Sequence, residues 1–309
     1  MTPVWSWNLS DDVREMLSYP FMLNAFRAGT VVAVVAGAIG WFMVIRRESF
    51  AGHTLAVIGF PGAAGATLLG VATGYGYFGA CIAGALLIAA LPSATRTGGL
   101  GGFGEQSAVI GIVQAFALAC GFLFVSLYHG FLSGLNNLLF GTITGITTTQ
   151  VLTLAGVGLV CLAVLTILGR PLLFASIDPE LARARGIPVR GISAVFLVLL
   201  AVAAAGTSQV TGSLLVFALL VAPAATARRL TARPALGITV SVVLALAATW
   251  AGETAAFYSP YPIGFWVTTL SFAAYLAAAL ARAGADRYGR SRHSGRPQPT
   301  GTVGRQVPA

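Results

Sequence analysis

Apolar positions in this chain gather into nine long runs, at roughly 28–45, 54–73, 77–94, 107–128, 150–169, 191–206, 210–227, 235–257 and 263–282. Helical runs near 20 residues match a hydrocarbon core of about 30 Å. The pattern predicts an all-α polytopic membrane protein with nine transmembrane helices. The sixth and seventh runs are closely joined, so eight spans plus a re-entrant element is the variant. Glycine-, proline- or arginine-containing stretches separate most of the runs.

The flanks read differently. Residues 1–20 carry Asp11, Asp12 and Glu15 near Trp5 and Trp7, which suits an external interfacial helix with its tryptophans at headgroup level. Residues 21–284 form the expected transmembrane domain. The last stretch, 285–309, is rich in Arg, Gly, Pro and Ser without apolar pattern and is expected to be a disordered cytosolic tail. The first 13 residues contain no basic residue, so no signal peptide is expected.

Composition agrees with the pattern. The chain is 57% hydrophobic and 9% charged, with a mean hydropathy of +0.85. Soluble domains carry about 25% charged residues. A second sizeable soluble domain has no room. The net charge of +9 does not point to nucleic acid, because its distribution follows the runs. Arginines cluster at 46–47, 96, 170–190, 228–233 and 282–305, after the odd-numbered runs, whereas the intervening loops at 74–76, 129–149, 207–209 and 258–262 contain none. Positive side chains are retained on the cytoplasmic side and meet anionic lipid there. The alternation predicts an outside N-terminus and an inside C-terminus.

All 18 basic residues are arginine. Without lysine the chain has neither a Walker A lysine nor a Schiff-base lysine. Transport that consumes ATP therefore requires another polypeptide to bind the nucleotide. Cys81, Cys120 and Cys161 stand singly, so no zinc knuckle or redox pair is indicated. Gly99-Leu100-Gly101-Gly102-Phe103-Gly104 fits a dinucleotide fingerprint in letters only, because it joins two membrane runs rather than a strand and a helix. No H-E-x-x-H, G-x-S-x-G or carboxylate pair within a span supports a membrane enzyme. The chain is not expected to be catalytic.

Two regions carry chemistry. In the first, Arg46 and Arg47 mark a cytoplasmic edge, Gly52 and His53 follow at the start of the next apolar run, and Pro61 and Gly62 lie within it. A polar group and helix breakers are costly in lipid unless the backbone lines a protected path. Gly52, Pro61, Gly62 and, further on, Pro223 are therefore expected as helix breaks. His53 reads either as a hydrogen-bonded structural group or as a ligand. His129 and Glu253 are the other ionisable residues near membrane depth, and both read as structural groups. In the second region Asp178 can cap a helix, Pro179 suits its first position, Glu180 lies in the acid-favouring first turn, and Gly186 can end it. A short charged helix on the cytoplasmic face is a docking element in form.

These residues carry a resemblance. The chain resembles the permease subunits of ATP-binding-cassette importers for zinc, manganese and iron(II). The matching stretches are Arg46 through Leu55 with Pro61 and Gly62, then Leu139-Phe140-Gly141-Thr142-Ile143, then Asp178 through Ile187, and finally Val210 through Ala227. The resemblance implies a homodimer of permeases in a bacterial plasma membrane, two cytosolic ATPase subunits and an extracytoplasmic metal-binding protein. It implies an architecture related to the cobalamin importers. It also implies that the stretch with Asp178, Glu180, Ala182 and Gly186 is the coupling helix that sits in a cleft of the ATPase, with Ala182 small to permit close approach.

The chain departs from the family at the expected metal position. Many members read Gly-Asp-x-x-Ser-His where this chain has Gly52-His53-Thr54-Leu55-Ala56-Val57. Imidazole alone leans toward Zn²⁺, whereas a carboxylate–imidazole pair would suit Zn²⁺ or Mn²⁺. His53 is the expected metal-contacting residue of the translocation path. Backup oxygen ligands are expected from Asn136, Asn137, Ser208, Gln209 and Thr211. No resident cofactor is expected. The cargo is expected to be a divalent metal, Zn²⁺ before Mn²⁺ or Fe²⁺. A secondary carrier of a small solute and a permease for a metal chelate are the alternatives.

Overall fold

The computed structural model describes residues 9–91, 102–128, 145–212 and 216–293. Every regular element among them is a helix: α1 (Leu9–Ser18), α2 (Pro20–Ile45), α3 (Ser49–Leu68), α4 (Thr73–Ala90), α5 (Gly102–Leu127), α6 (Thr148–Ile177), α7 (Pro179–Ala184), α8 (Val189–Thr211), α9 (Val216–Leu230), α10 (Pro234–Phe257) and α11 (Ile263–His293). Seven of these (α2, α4, α5, α6, α8, α10 and α11) are long and apolar enough to cross a membrane. The other two run-derived helices fall short for different reasons. His53, Pro61, four glycines and two threonines dilute the apolar content of α3, and α9 has only 15 residues.

Local sequence explains where several helices begin. Pro20 and Pro234 stand in the first turns of α2 and α10, where a missing N–H costs nothing. Thr147 and Gln150 form a capping box at the start of α6: the Gln150 N–H donates to Thr147 Oγ1 at 3.2 Å, and the Thr147 N–H donates to Gln150 Oε1 at 2.9 Å. Asn24 of α2 donates its side-chain amide to the Ile146 carbonyl just before that cap. Helix α11 continues to His293, so the helical chain runs past residue 284, where the disordered tail was expected to start.

Few residues of α5 are fully buried, whereas helix α2 is mostly buried and is the hub of the bundle. It packs against α6, α8, α9 and α10. Small residues make that possible, since association in lipid relies on close van der Waals approach. A side chain at Gly37 would meet the Ser241 and Val242 backbone of α10, and one at Gly40 would strike the Leu220 carbonyl of α9. Gly237 of α10 in turn leaves room for the Trp41 indole. At the closest crossing Ser241 Oγ donates to the Gly37 carbonyl at 2.7 Å.

The expected helix breaks are not breaks. Helix α3 runs without interruption through Gly52, Pro61 and Gly62, and α9 runs through Pro223. Pro61 withholds the N–H that the Val57 carbonyl would receive, yet packing on both sides holds the helix together. The glycines serve contact instead of flexibility. Gly59 lies under the Tyr77 ring, Gly62 meets the Gly76 backbone and Ala80, and Gly52 faces Met43 Sδ. Tyr77 donates its hydroxyl to the Ala56 carbonyl at 2.8 Å, and Cys81 its thiol to the Leu55 carbonyl at 3.2 Å, binding α4 onto α3.

Candidate translocation path and coupling corner

Helix α7 is built as the sequence suggests. Asp178 Oδ1 accepts the Leu181 N–H at 2.9 Å, Pro179 occupies the first turn, and Glu180 lies beside the positive helix end. The other end closes in a two-bond Schellman arrangement. The Gly186 N–H donates to the Arg183 carbonyl at 2.9 Å and the Ile187 N–H to the Ala182 carbonyl at 3.0 Å. Gly186 has φ +79°, a left-handed conformation that glycine adopts without penalty. Asp178, Glu180, Leu181, Arg183 and Gly186 are exposed.

Ala182 differs from expectation. It is fully buried against Ala175 of α6 and Val189 of α8, with Phe174 and Ile187 around them. Its small side chain lets α7 seat on its own stems, so it does not face outward toward a partner. The Arg185 guanidinium stacks over Phe174, 5.2 Å from the ring centre, and covers the same pocket.

His53 sits in the second turn of α3, half-buried. Its ring meets Phe217 of α9 edge to face, and its Nδ1 is buried without a hydrogen-bond partner. Burial leaves that nitrogen without the hydrogen bond that an imidazole nitrogen ordinarily makes. Val57, one turn further on, is buried, an apolar group at the position where the resemblance leads to the expectation of a second ligand.

The backup oxygens are not gathered around His53. Gly52 and Leu200 of α8 adjoin each other, and Ser208 lies two helical turns beyond Leu200, about 12 Å along the axis. Ser208 is fully buried and donates its hydroxyl to the Ala205 carbonyl at 2.7 Å. Gln209 and Thr211 belong to the same last turns of α8. Asn136 and Asn137 lie outside the described residues. Among the described residues no three of His, Cys, Asp and Glu come together in a metal-binding group.

The burial of two charged side chains is not evident from the sequence. Arg46 looks like an exposed topology anchor in the sequence, but its side chain is only 7% exposed. It donates to Glu48 Oε1 at 2.8 Å, to Ser193 Oγ at 2.8 Å and to Ser176 Oγ at 3.3 Å, and stacks over Phe196. The adjacent Glu48 was the available signal, since an acid two residues away can turn an arginine inward. Glu253 of α10 is fully buried, with neither carboxyl oxygen hydrogen-bonded, and lies against Gly29 of α2.

The ABC 3 transport family model matches residues 18–282, most of the chain and every helix from α2 to α10. The chain belongs to the ABC 3 transport family. It is a multi-pass membrane permease of the bacterial plasma membrane. The manganese transport system membrane protein MntC of Halalkalibacterium halodurans is 30% identical over 241 residues, covering 78% of each chain. The chelated iron transport system membrane protein YfeC of Yersinia pestis is 26% identical over 264 residues, covering 85% of this chain and 87% of that one. Among solved structures, a chain of PsaBC from Streptococcus pneumoniae in complex with Fab superposes with a TM-score of 0.77 at 25% identity, covering 87% of this chain and 95% of that one.

Proposed function

We propose that this permease is the membrane-spanning subunit of an ATP-driven importer of divalent transition-metal ions, working as a homodimer with separate ATPase subunits and an extracytoplasmic metal-binding protein. The observation that carries this reading is α7. A helix of six residues, capped at both ends and seated on a buried alanine, holds a charged outer face rigidly at the arginine-rich end of the bundle. A rigid lever of that kind suits a soluble partner whose closure must be felt by the membrane helices. The partner would supply the lysine-dependent nucleotide site that a lysine-free chain lacks.

Metal as cargo is supported by the names of the relatives, which specify manganese and chelated iron. The finer choice rests on donor chemistry. With imidazole at residue 53 and no carboxylate beside it, the path favours Zn²⁺ over Mn²⁺, because nitrogen donors suit zinc and oxygen donors suit manganese. Selectivity then lies mainly in the binding protein, and the membrane path needs only to pass the ion. In each half-cycle the two permeases would present their His53 imidazoles to the same path, and ATP binding would shift the balance between outward and inward access.

The test is reconstitution with the cognate ATPase and binding protein in vesicles, followed by Zn²⁺ and Mn²⁺ accumulation with and without ATP. Accumulation that requires ATP, with Zn²⁺ outcompeting Mn²⁺, is expected. Uptake without ATP would favour a secondary carrier instead. Uptake only of a chelated ion would move the reading to a chelate permease.

A further inference from the structure

Arg46 stands at a junction that neither the family nor the cargo explains. Its guanidinium joins three segments: the α2–α3 turn through Glu48, the end of α6 through Ser176, and the start of α8 through Ser193. Helix α6 and helix α8 are the two stems of α7. Ser176 precedes the Asp178 cap by two residues, and Ser193 donates to the carbonyl of Val189, which walls the pocket around Ala182. The two serines are themselves pinned by backbone acceptors, Ser176 to Leu172 and Ser193 to Val189. One charged group therefore bridges both stems of α7 to the turn that starts α3.

The turn leads directly to the path. The Glu48 carbonyl accepts the Gly52 N–H at 3.0 Å, and His53 is the next residue. On the far side Arg228, at the end of α9, donates to the Val44 carbonyl at 3.2 Å, and α9 is the helix whose Phe217 touches His53. A guanidinium this buried is costly to leave without its acceptors. Displacing the stems of α7 therefore strains the bonds to Ser176 and Ser193 together unless the α2–α3 turn, which Glu48 ties to Arg46, moves with them.

We infer that Arg46 is the positioning residue that makes the start of α3, and with it His53, follow the movement of α7. The inference rests on the reading of α7 as the ATPase-docking helix. It assigns Arg46 a role in coupling that is separate from binding metal and from binding the ATPase.

The experiment uses the complete importer in vesicles, with Zn²⁺ as cargo, and measures ions accumulated per ATP hydrolysed. Arg46→Ala is expected to copurify with the ATPase and hydrolyse ATP like the parent, yet move at least about fivefold fewer ions per ATP, the lower range of measured couplings. Arg46→Lys should fall between the two, because a single ammonium cannot span three acceptors in a fixed fork. If Arg46→Ala proves unstable, the Ser176→Ala/Ser193→Ala pair leaves the arginine paired with Glu48 and still severs it from both stems. That pair should lower the ratio as well. A parent-like ratio in Arg46→Ala, or in the serine pair, overturns the inference. So does a joint loss of assembly and hydrolysis in Arg46→Lys, which would make the residue a structural anchor. No ATP-driven uptake by the unmutated importer would instead overturn the reading of α7, and this inference with it.

Discussion

His53 meets Phe217 edge to face, with ring centroids 5.3 Å apart and planes at 74°, so the imidazole of α3 is held by the first turn of α9. The contact orients the ring while Nδ1 stays without a partner. On the proposed metal-transport reading, a side chain already oriented in this way would lose little freedom on binding a passing ion. His53→Ala should therefore cut Zn²⁺ uptake by the importer roughly tenfold, equivalent to about 1.4 kcal/mol of barrier, while ATPase copurification stays normal. His53→Asp should retain uptake and accept Mn²⁺ better. Parent-like Zn²⁺ transport by both variants would make His53 a packing residue.

Ala182 gives the second prediction, and its burial determines the sign. Ala182→Trp forces an indole into a pocket formed by Ala175 and Val189, and overpacking of this kind costs about 1–3 kcal/mol. The variant should insert into the membrane but melt lower, and lose copurification with the ATPase because α7 leaves its seat. Glu180→Ala, on the exposed side, should keep the parent melting temperature and weaken ATPase binding. An Ala182→Trp protein that melts like the parent would mean that α7 does not rest on this pocket.

The helices and their order were legible in the sequence because apolar runs of membrane length leave few alternatives. The seven qualifying helices, together with α3 and α9, correspond to the nine runs. The cap and stop of α7 were legible for a different reason, since Asp178, Pro179 and Gly186 each act through the local backbone. Packing was not legible. Gly52, Gly62 and Pro61 looked like breaks because sequence shows a missing side chain or a missing N–H but not the packing that surrounds it. Ala182 looked like a docking contact because its small size suits either face of a helix. The fate of Arg46 depended on Ser176 and Ser193, more than 100 residues away in sequence, and no local pattern reveals such partners.

The close crossings make a direct prediction about stability. At Gly40 a methyl group would strike the Leu220 backbone carbonyl, which cannot move aside as a side chain would. Gly40→Ala should destabilise the purified permease by about 1–3 kcal/mol. Gly156 of α6 has open space beside it, so Gly156→Ala should be neutral or stabilising by up to about 1 kcal/mol through helix propensity. Thermal unfolding in detergent measures both. Equal melting temperatures for the two variants would refute the packing of α2 on α9.

Glu253 supplies a contrast with the path residues. A fully buried carboxyl group with no hydrogen bond is a liability for folding. Glu253→Met fills a similar volume without the polar atoms, so the variant should melt at or above the parent temperature. Its uptake then discriminates. Parent-like uptake means the carboxyl group is dispensable for transport, whereas a stable variant that carries no metal would place Glu253 in the transport cycle.

The last prediction concerns sidedness. Arginine clusters follow the odd-numbered runs, and the loop between α10 and α11 has none. With cytoplasmic retention of positive charge, that loop is expected outside and the far end of α11 inside. Arg14 and Arg27 stand on the outer side in this arrangement, and the rule tolerates them because it counts the overall bias. Tyr261 is the better probe of the loop, since it is exposed, whereas Ser259 accepts a hydrogen bond from the Trp266 indole at 2.7 Å. In a background with Cys81, Cys120 and Cys161 replaced, Tyr261→Cys should react with an impermeant thiol reagent on intact cells. Ser291→Cys should react only after permeabilisation. The opposite labelling pattern would invert the topology and move α7 away from any cytosolic ATPase.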